Sequence, residues 1–133
     1  MRARDALISL AVVAGAACSS QSPSASEAAL ATPGGFPISW YHNVRGVGSD
    51  GERLTYACLP NGRAYTVWGT EVYTDDSSIC TAAVHAGLIS FADGGVVTVE
   101  IRPGQASYVA STRNGVESLA YGAWAGSYVF VTD

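Results

Sequence analysis

The chain has 133 residues, which suits one small domain with attachments. Its hydrophobic share of 48 % against 14 % charged residues supports a buried core and excludes a disordered chain. The formal net charge is -4 and every basic side chain is arginine, which speaks against a nucleic-acid footprint and against electrostatic docking on anionic lipid.

The N-terminus reads as a targeting segment. Arg2 and Arg4 precede an apolar run from Ala6 to Ala17 that is too short to span a bilayer. The run ends in Gly15-Ala-Ala-Cys18, and small residues before a cysteine resemble a bacterial lipobox. In such a segment the thiol is acylated by diacylglycerol and becomes the new N-terminus. Gly15 stands where that pattern usually has leucine. Residues 1–18 are thus assigned to a signal peptide, with Cys18 as lipid attachment site and first mature residue. A plain secretory signal cleaved near Ala17 is the alternative, and both export the chain. Each buried methylene of an attached lipid contributes about 0.8 kcal/mol, so acylated Cys18 would anchor the protein at a membrane without a transmembrane helix. Residues 19–35 are small, polar and aperiodic, and read as a flexible tether.

The folded domain is expected over 36–133. Phe36 to Tyr41 is an aromatic edge segment held by Trp40, and Arg53 to Cys58 is a strand with Leu54 and Tyr56 on one face. Ala64 to Val72 reads as a strand whose Gly69 marks a bulge or a close backbone contact. A short helix follows, with Asp75 or Asp76 as its cap and Gly87 as its stop. Ser77, Thr81 and His85 form one polar stripe on it, and Ile79, Cys80, the alanines and Val84 cover the rest. A helix so apolar needs enclosure. Val97, Val99 and Ile101 alternate with polar residues as a half-buried strand, and Pro103-Gly104 is expected to turn the chain. Tyr108 to Thr112 alternates again, Asn114-Gly115 is a hairpin signal, and Ser127 to Thr132 is a strand apolar on both faces. One helix against this many strands gives α+β with a mainly antiparallel sheet.

Catalytic chemistry is not expected. Ser77 and Ser78 lie at the start of the helix, roughly 12 Å along its axis from His85, too far for proton transfer. His85 is expected to donate to a backbone carbonyl, and Asp75-Asp76 lacks the further ligands of a metal site. No phosphate loop, zinc spacing or dinucleotide fingerprint is present, so no cofactor is implied.

Val67-Trp-Gly69, Tyr73, Ser77-Ser-Ile-Cys-Thr-Ala-Ala-Val-His-Ala-Gly87 and Gly94-Gly95-Val resemble the LCCL domain. Asn114-Gly115-Val-Glu-Ser118 and Trp124-Ala-Gly-Ser-Tyr-Val-Phe130 continue the resemblance, which covers roughly Leu54 to Val131. It implies a single central α-helix wrapped by two mainly antiparallel β-sheets. Animal members usually carry two disulfides, whereas this domain holds only Cys58 and Cys80, which match the pair tying the helix to the preceding strand region. Export makes one bridge between them the default.

The function implied is a non-enzymatic binding module on the bacterial cell envelope that engages a glycan, a lipopolysaccharide-type lipid or a protein. Animal relatives are associated with lipopolysaccharide binding, which motivates this by analogy alone. Trp40, Tyr41, Tyr65, Trp68, Tyr73 and Tyr121 exceed what a small core needs, and Trp40, Trp68 and Tyr73 are the candidate ligand-binding residues. Trp68 and Trp124 also suit a core. A structural or assembly lipoprotein is the alternative, and an envelope hydrolase a third reading with less support.

Overall fold

The alternation at Val97, Val99 and Ile101 builds the longest strand of the molecule. In a computed structural model, which describes residues 34–132, this strand is β5, Gly95–Gln105. Its three alternating side chains point inward and are buried, while the residues between them are half-buried or exposed. The other strands are β1 (Phe36–Ile38), β2 (Arg53–Cys58), β3 (Gly69–Thr70), β4 (Val72–Thr74), β6 (Thr112–Arg113), β7 (Val116–Glu117) and β8 (Trp124–Val131). The helix α1 is Ile79–His85. Together they make an α+β fold, mostly β.

The main sheet has the order β1-β2-β5-β8-β4-β3. Only the edge pair β1/β2 is parallel; the other neighbours are antiparallel. Tyr56 lies opposite Val97, and Tyr128 lies between Ile101 and Tyr73, so the inner face presents a continuous apolar surface. A second sheet is the ribbon β6/β7, turned by Asn114 and Gly115 at φ 52° and 79°, as the Asn-Gly signal predicts.

The helix packs on that inner face. All seven of its residues are buried, and the alanines let its neighbours approach closely. Cys80 is disulfide-bonded to Cys58 at the end of β2. Closing a loop across 22 positions stabilises the domain by about 3 kcal/mol in the chain-entropy picture. At the C-terminal end Gly87 takes φ 82°. Its N–H donates to the Val84 carbonyl and that of Leu88 to the Ala83 carbonyl, the pairing of a Schellman motif.

Three local expectations are corrected. The helix cap is Ser78, whose Oγ accepts from the Thr81 N–H at 3.1 Å, and not Asp75 or Asp76. Asp75 is held elsewhere: its N–H donates to Gly126, and its carbonyl and carboxylate accept from Val44 and Trp124. Pro103-Gly104 does not turn the chain but continues β5 opposite β8, where a side chain on Gly104 would collide with the Trp124 carbonyl. Residues 64–68 form no strand, only an isolated bridge of Trp68 to Leu119, because several of their backbone groups bond to the helix start instead. Tyr65 N–H donates to Thr81 Oγ1, Trp68 N–H to Ser77 Oγ, and Thr66 C=O accepts from Ser78 N–H. Gly69, at φ 106°, does make the expected close contact; a Cβ there would lie 2.2 Å from the Val72 carbonyl oxygen. The signal segment, Cys18 and nearly all of the tether lie outside the described residues. Among the described residues no helix is long and apolar enough to cross a membrane.

Candidate functional site

Among the described residues, the polar stripe of the helix holds the one histidine buried in the core. His85 is fully buried. Tyr73 Oη lies 2.9 Å from its Nδ1, and the carbonyl and hydroxyl of Ser111 lie 3.3 and 3.1 Å from its Nε2. A carbonyl only accepts, so Nε2 carries the proton, and Nδ1 accepts from the Tyr73 hydroxyl. Burial holds the imidazole below its ordinary pKa of 6.5, the Ser111 carbonyl opposes this, and the Arg113 charge adds to the lowering. The ring is therefore neutral at pH 7, walled from solvent, with no carboxylate bonded behind it. Ser77 and Ser78 are buried and bonded to backbone around the helix start. Their groups are closed on one another and have no substrate-facing side.

Two of the three candidate ligand residues share that enclosure. Trp40 is 8 % exposed and Tyr73 only 1 %. Trp40 packs against Phe91 at 5.3 Å, donates its indole N–H to the Leu59 carbonyl, and lies so close over Gly62 that a Cβ there would enter the ring. Tyr73 sits among His85, Tyr128 and Phe130. Burial in the core, with their polar atoms already bonded inside the protein, removes Trp40 and Tyr73 from any ligand surface. Trp68 is different, since it is half-buried and lines a cleft.

That cleft has a volume of about 220 Å³ and is lined by Trp68, Thr74, Asp76, Tyr121 and Trp124. Its walls are fixed by backbone pairing. Trp68 is pinned by hydrogen bonds of its neighbours to Leu119, and Tyr121 is paired with Tyr108 through N–H···O bonds of 3.1 and 2.8 Å. Trp124 starts β8 and donates its indole N–H to Asp75 Oδ1 at 2.7 Å. Tyr121 stands edge-on between the two indoles, at 6.4 Å and 72° to Trp68 and at 5.6 Å and 83° to Trp124. The Arg45 guanidinium carbon lies 4.9 Å from the Trp124 ring centre, and a smaller cleft between them shares only Trp124 with the first.

Thr74 is buried and its hydroxyl is bonded to Ser77. Asp76 is not so supplied. Its Oδ1 is buried and has no hydrogen-bond partner. Burial raises the Tyr128 hydroxyl pKa well above its ordinary value, and Tyr73, Asp76 and Asp75 push it the same way, so this nearby phenol stays protonated. Among the described residues no three His, Cys, Asp or Glu side chains gather as a metal site would need.

The sequence reading reached Trp68 and Tyr121 as aromatics in excess of the core. It gave Asp76 to helix capping, and it favoured the core for both Trp68 and Trp124, which are half-buried. The Trp-Ala-Gly-Ser start of β8 carries a hint: a bulky indole at a strand end, followed by small residues, leaves room around the ring.

The LCCL domain family model matches residues 39–128. The chain is 52 % identical over 56 residues to human cysteine-rich secretory protein LCCL domain-containing 2, covering 42 % of this chain and 11 % of that protein. It is 43 % identical over 65 residues to human vitrin, covering 49 % of this chain and 9 % of vitrin. It is 37 % identical over 98 residues to cochlin of Cavia porcellus, covering 71 % of this chain and 18 % of cochlin. The chain thus spans only a small part of the length of these relatives. The matched span runs from before Trp40 to Tyr128 and takes in the stapled helix and the aromatic walls, and the chain belongs to the LCCL domain family.

Proposed function

We propose that the chain is an exported, non-enzymatic binding module of the bacterial cell envelope, anchored through lipid on Cys18, and that the Trp68–Tyr121–Trp124 cleft is where it engages its ligand. The observation that carries this reading is the division of polar groups. The residues able to do chemistry are sealed against each other, while three aromatic rings and a carboxylate open on one cleft. In this reading the helix is the wrapped centre of the two sheets and serves as scaffold. The disulfide favours an oxidising compartment, and one relative's name calls it secretory, both of which support export.

The ligand is an envelope glycan, a lipopolysaccharide-type lipid or an envelope protein, bound through aromatic contact. Purified domain should be retained on immobilised envelope extract, and the double variant Trp68→Ala/Tyr121→Ala should lose retention while keeping its circular dichroism spectrum. Wild-type protein passing through every such column unretained would sink the reading. The anchor has its own test. Palmitate should label the wild-type protein in cells, and Cys18→Ser should abolish both the label and recovery in the membrane fraction.

A further inference from the structure

We propose that the group seated in the Trp68–Tyr121–Trp124 cleft is an alkylammonium cation, either a free choline-like amine or the same head group on a lipid. This rests on the reading of the cleft as the binding site and narrows its chemistry.

Ring geometry is the first argument. A sugar stacks on an aromatic face that is open as a flat platform. Here the neighbouring rings are nearly perpendicular, at 72° and 83°, so they form the walls of a corner. A corner of aromatic rings suits a rounded cation that can meet several walls at once, as in cages for quaternary ammonium groups.

Charge is the second. Asp76 contributes a buried carboxylate oxygen with no donor from the protein. Leaving such an oxygen unmet is unfavourable, and a cation in the cleft that Asp76 lines would offset the desolvation through space. The one indole N–H of Trp124 is already given to Asp75, so the wall it forms offers an anion no donor from that ring. The charged groups around the Trp124 ring are Asp75, Asp76 and Arg45, an excess of one negative charge. Trp124 already receives one cation from within the protein, the Arg45 guanidinium at 4.9 Å.

Size is the third. Pockets for drug-sized ligands run from about 300 to 1,000 Å³. The cleft, at about 220 Å³, holds a small head group and not several sugar rings.

The test uses two probes of one shape, choline and its uncharged isostere 3,3-dimethylbutan-1-ol, titrated into the purified domain with the tryptophan indole resonances as readout. Choline should shift the Trp68 and Trp124 signals and bind at least about tenfold tighter than the alcohol, as desolvated cation–π contacts and a carboxylate allow. Asp76→Asn should weaken choline about tenfold and leave the alcohol unchanged. Should that variant fold poorly, Tyr121→Leu, at a position 45 % exposed, should likewise weaken choline with its melting temperature preserved. Phosphatidylcholine vesicles that bind the domain while phosphatidylglycerol vesicles do not would identify the lipid-borne form. Binding of free choline without vesicle binding would identify the free amine. Equal affinity for choline and the alcohol, or choline binding untouched by both variants, would overturn the inference. Retention on envelope extract without any choline response would defeat the cation assignment alone and leave the binding reading standing.

Discussion

The helix stripe and the aromatic cleft lie side by side and treat polar atoms in opposite ways. Along the stripe, Ser77, Ser78, Thr81 and His85 are all buried and all hydrogen-bonded. In the cleft, three rings are partly open and a carboxylate oxygen of Asp76 is buried with no partner. A satisfied buried network rigidifies a fold, whereas an orphaned acceptor is a standing penalty. The contrast is what favours the cleft as the proposed site: the histidine among serines has its ring nitrogens bonded inside the fold, whereas the unserved carboxylate belongs to a residue that lines the cleft.

The most severe way to break the closed region is through sulfur. Replacing Cys58 and Cys80 together by alanine should lower unfolding free energy by about 3 kcal/mol, read as a lower urea midpoint, with a steeper slope because the uncrosslinked denatured chain is less compact. Loss of less than about 1 kcal/mol would mean that packing alone holds the helix, and the contrast with the cleft would weaken.

Removing the histidine tests the stripe directly. His85→Leu leaves the buried Tyr73 hydroxyl without its partner inside the protein, while the Ser111 carbonyl keeps the Ser118 N–H, so about 2 kcal/mol of stability should go. Tyr73→Phe in the same background should recover part of it, because the stranded hydroxyl is then gone. An exposed or dispensable His85 would show neither effect.

Protonation is a milder probe of the same enclosure. In the folded protein His85 has a pKa below the 6.5 of the free side chain. The unfolded chain therefore binds this proton first, and the linkage sign is fixed: the contribution is whole above pH 6.5 and is lost as pH falls from there through the folded value. Wild-type stability should decline over that window, and His85→Leu should flatten the decline. An unchanged slope in the variant would show that other groups carry it.

What the sequence disclosed was local. The alternation in β5, the Asn114-Gly115 hairpin and the Gly87 stop each depend on neighbours a few positions away, and each is found. The Cys58–Cys80 bridge came from compartment and family pattern together. What failed was tertiary. Trp40 packs as its edge segment was expected to, but its choice as a ligand residue missed that Gly62 lets the ring lie against backbone, a contact across 22 positions that no local pattern announces. Pro103-Gly104 looks like a turn in isolation, yet the absence of a side chain on Gly104 is what lets β8 pass close by. Asp75 and Asp76 have the right offset for capping, but Trp124, 49 positions beyond Asp75, claims the first and the cleft receives the second.

The smallest expected effect divides the two regions most finely, since it compares adjacent acids. Asp75 accepts from the Trp124 indole at 2.7 Å, so Asp75→Asn, which gives up the charge on that bond, should lower stability by about 1 kcal/mol. Asp76 has a buried oxygen with nothing to accept, so Asp76→Asn removes a poorly solvated charge and should leave stability unchanged or raise it by up to about 1 kcal/mol. Chemical denaturation of the two variants beside wild type gives the comparison in one experiment. Opposite or clearly unequal effects fit a structural acid next to one kept for a ligand, in line with the common finding that binding groups are held at some loss of stability. If Asp76→Asn proves as damaging as Asp75→Asn, the second carboxylate belongs to the scaffold, and the open region has no charged group reserved for an occupant.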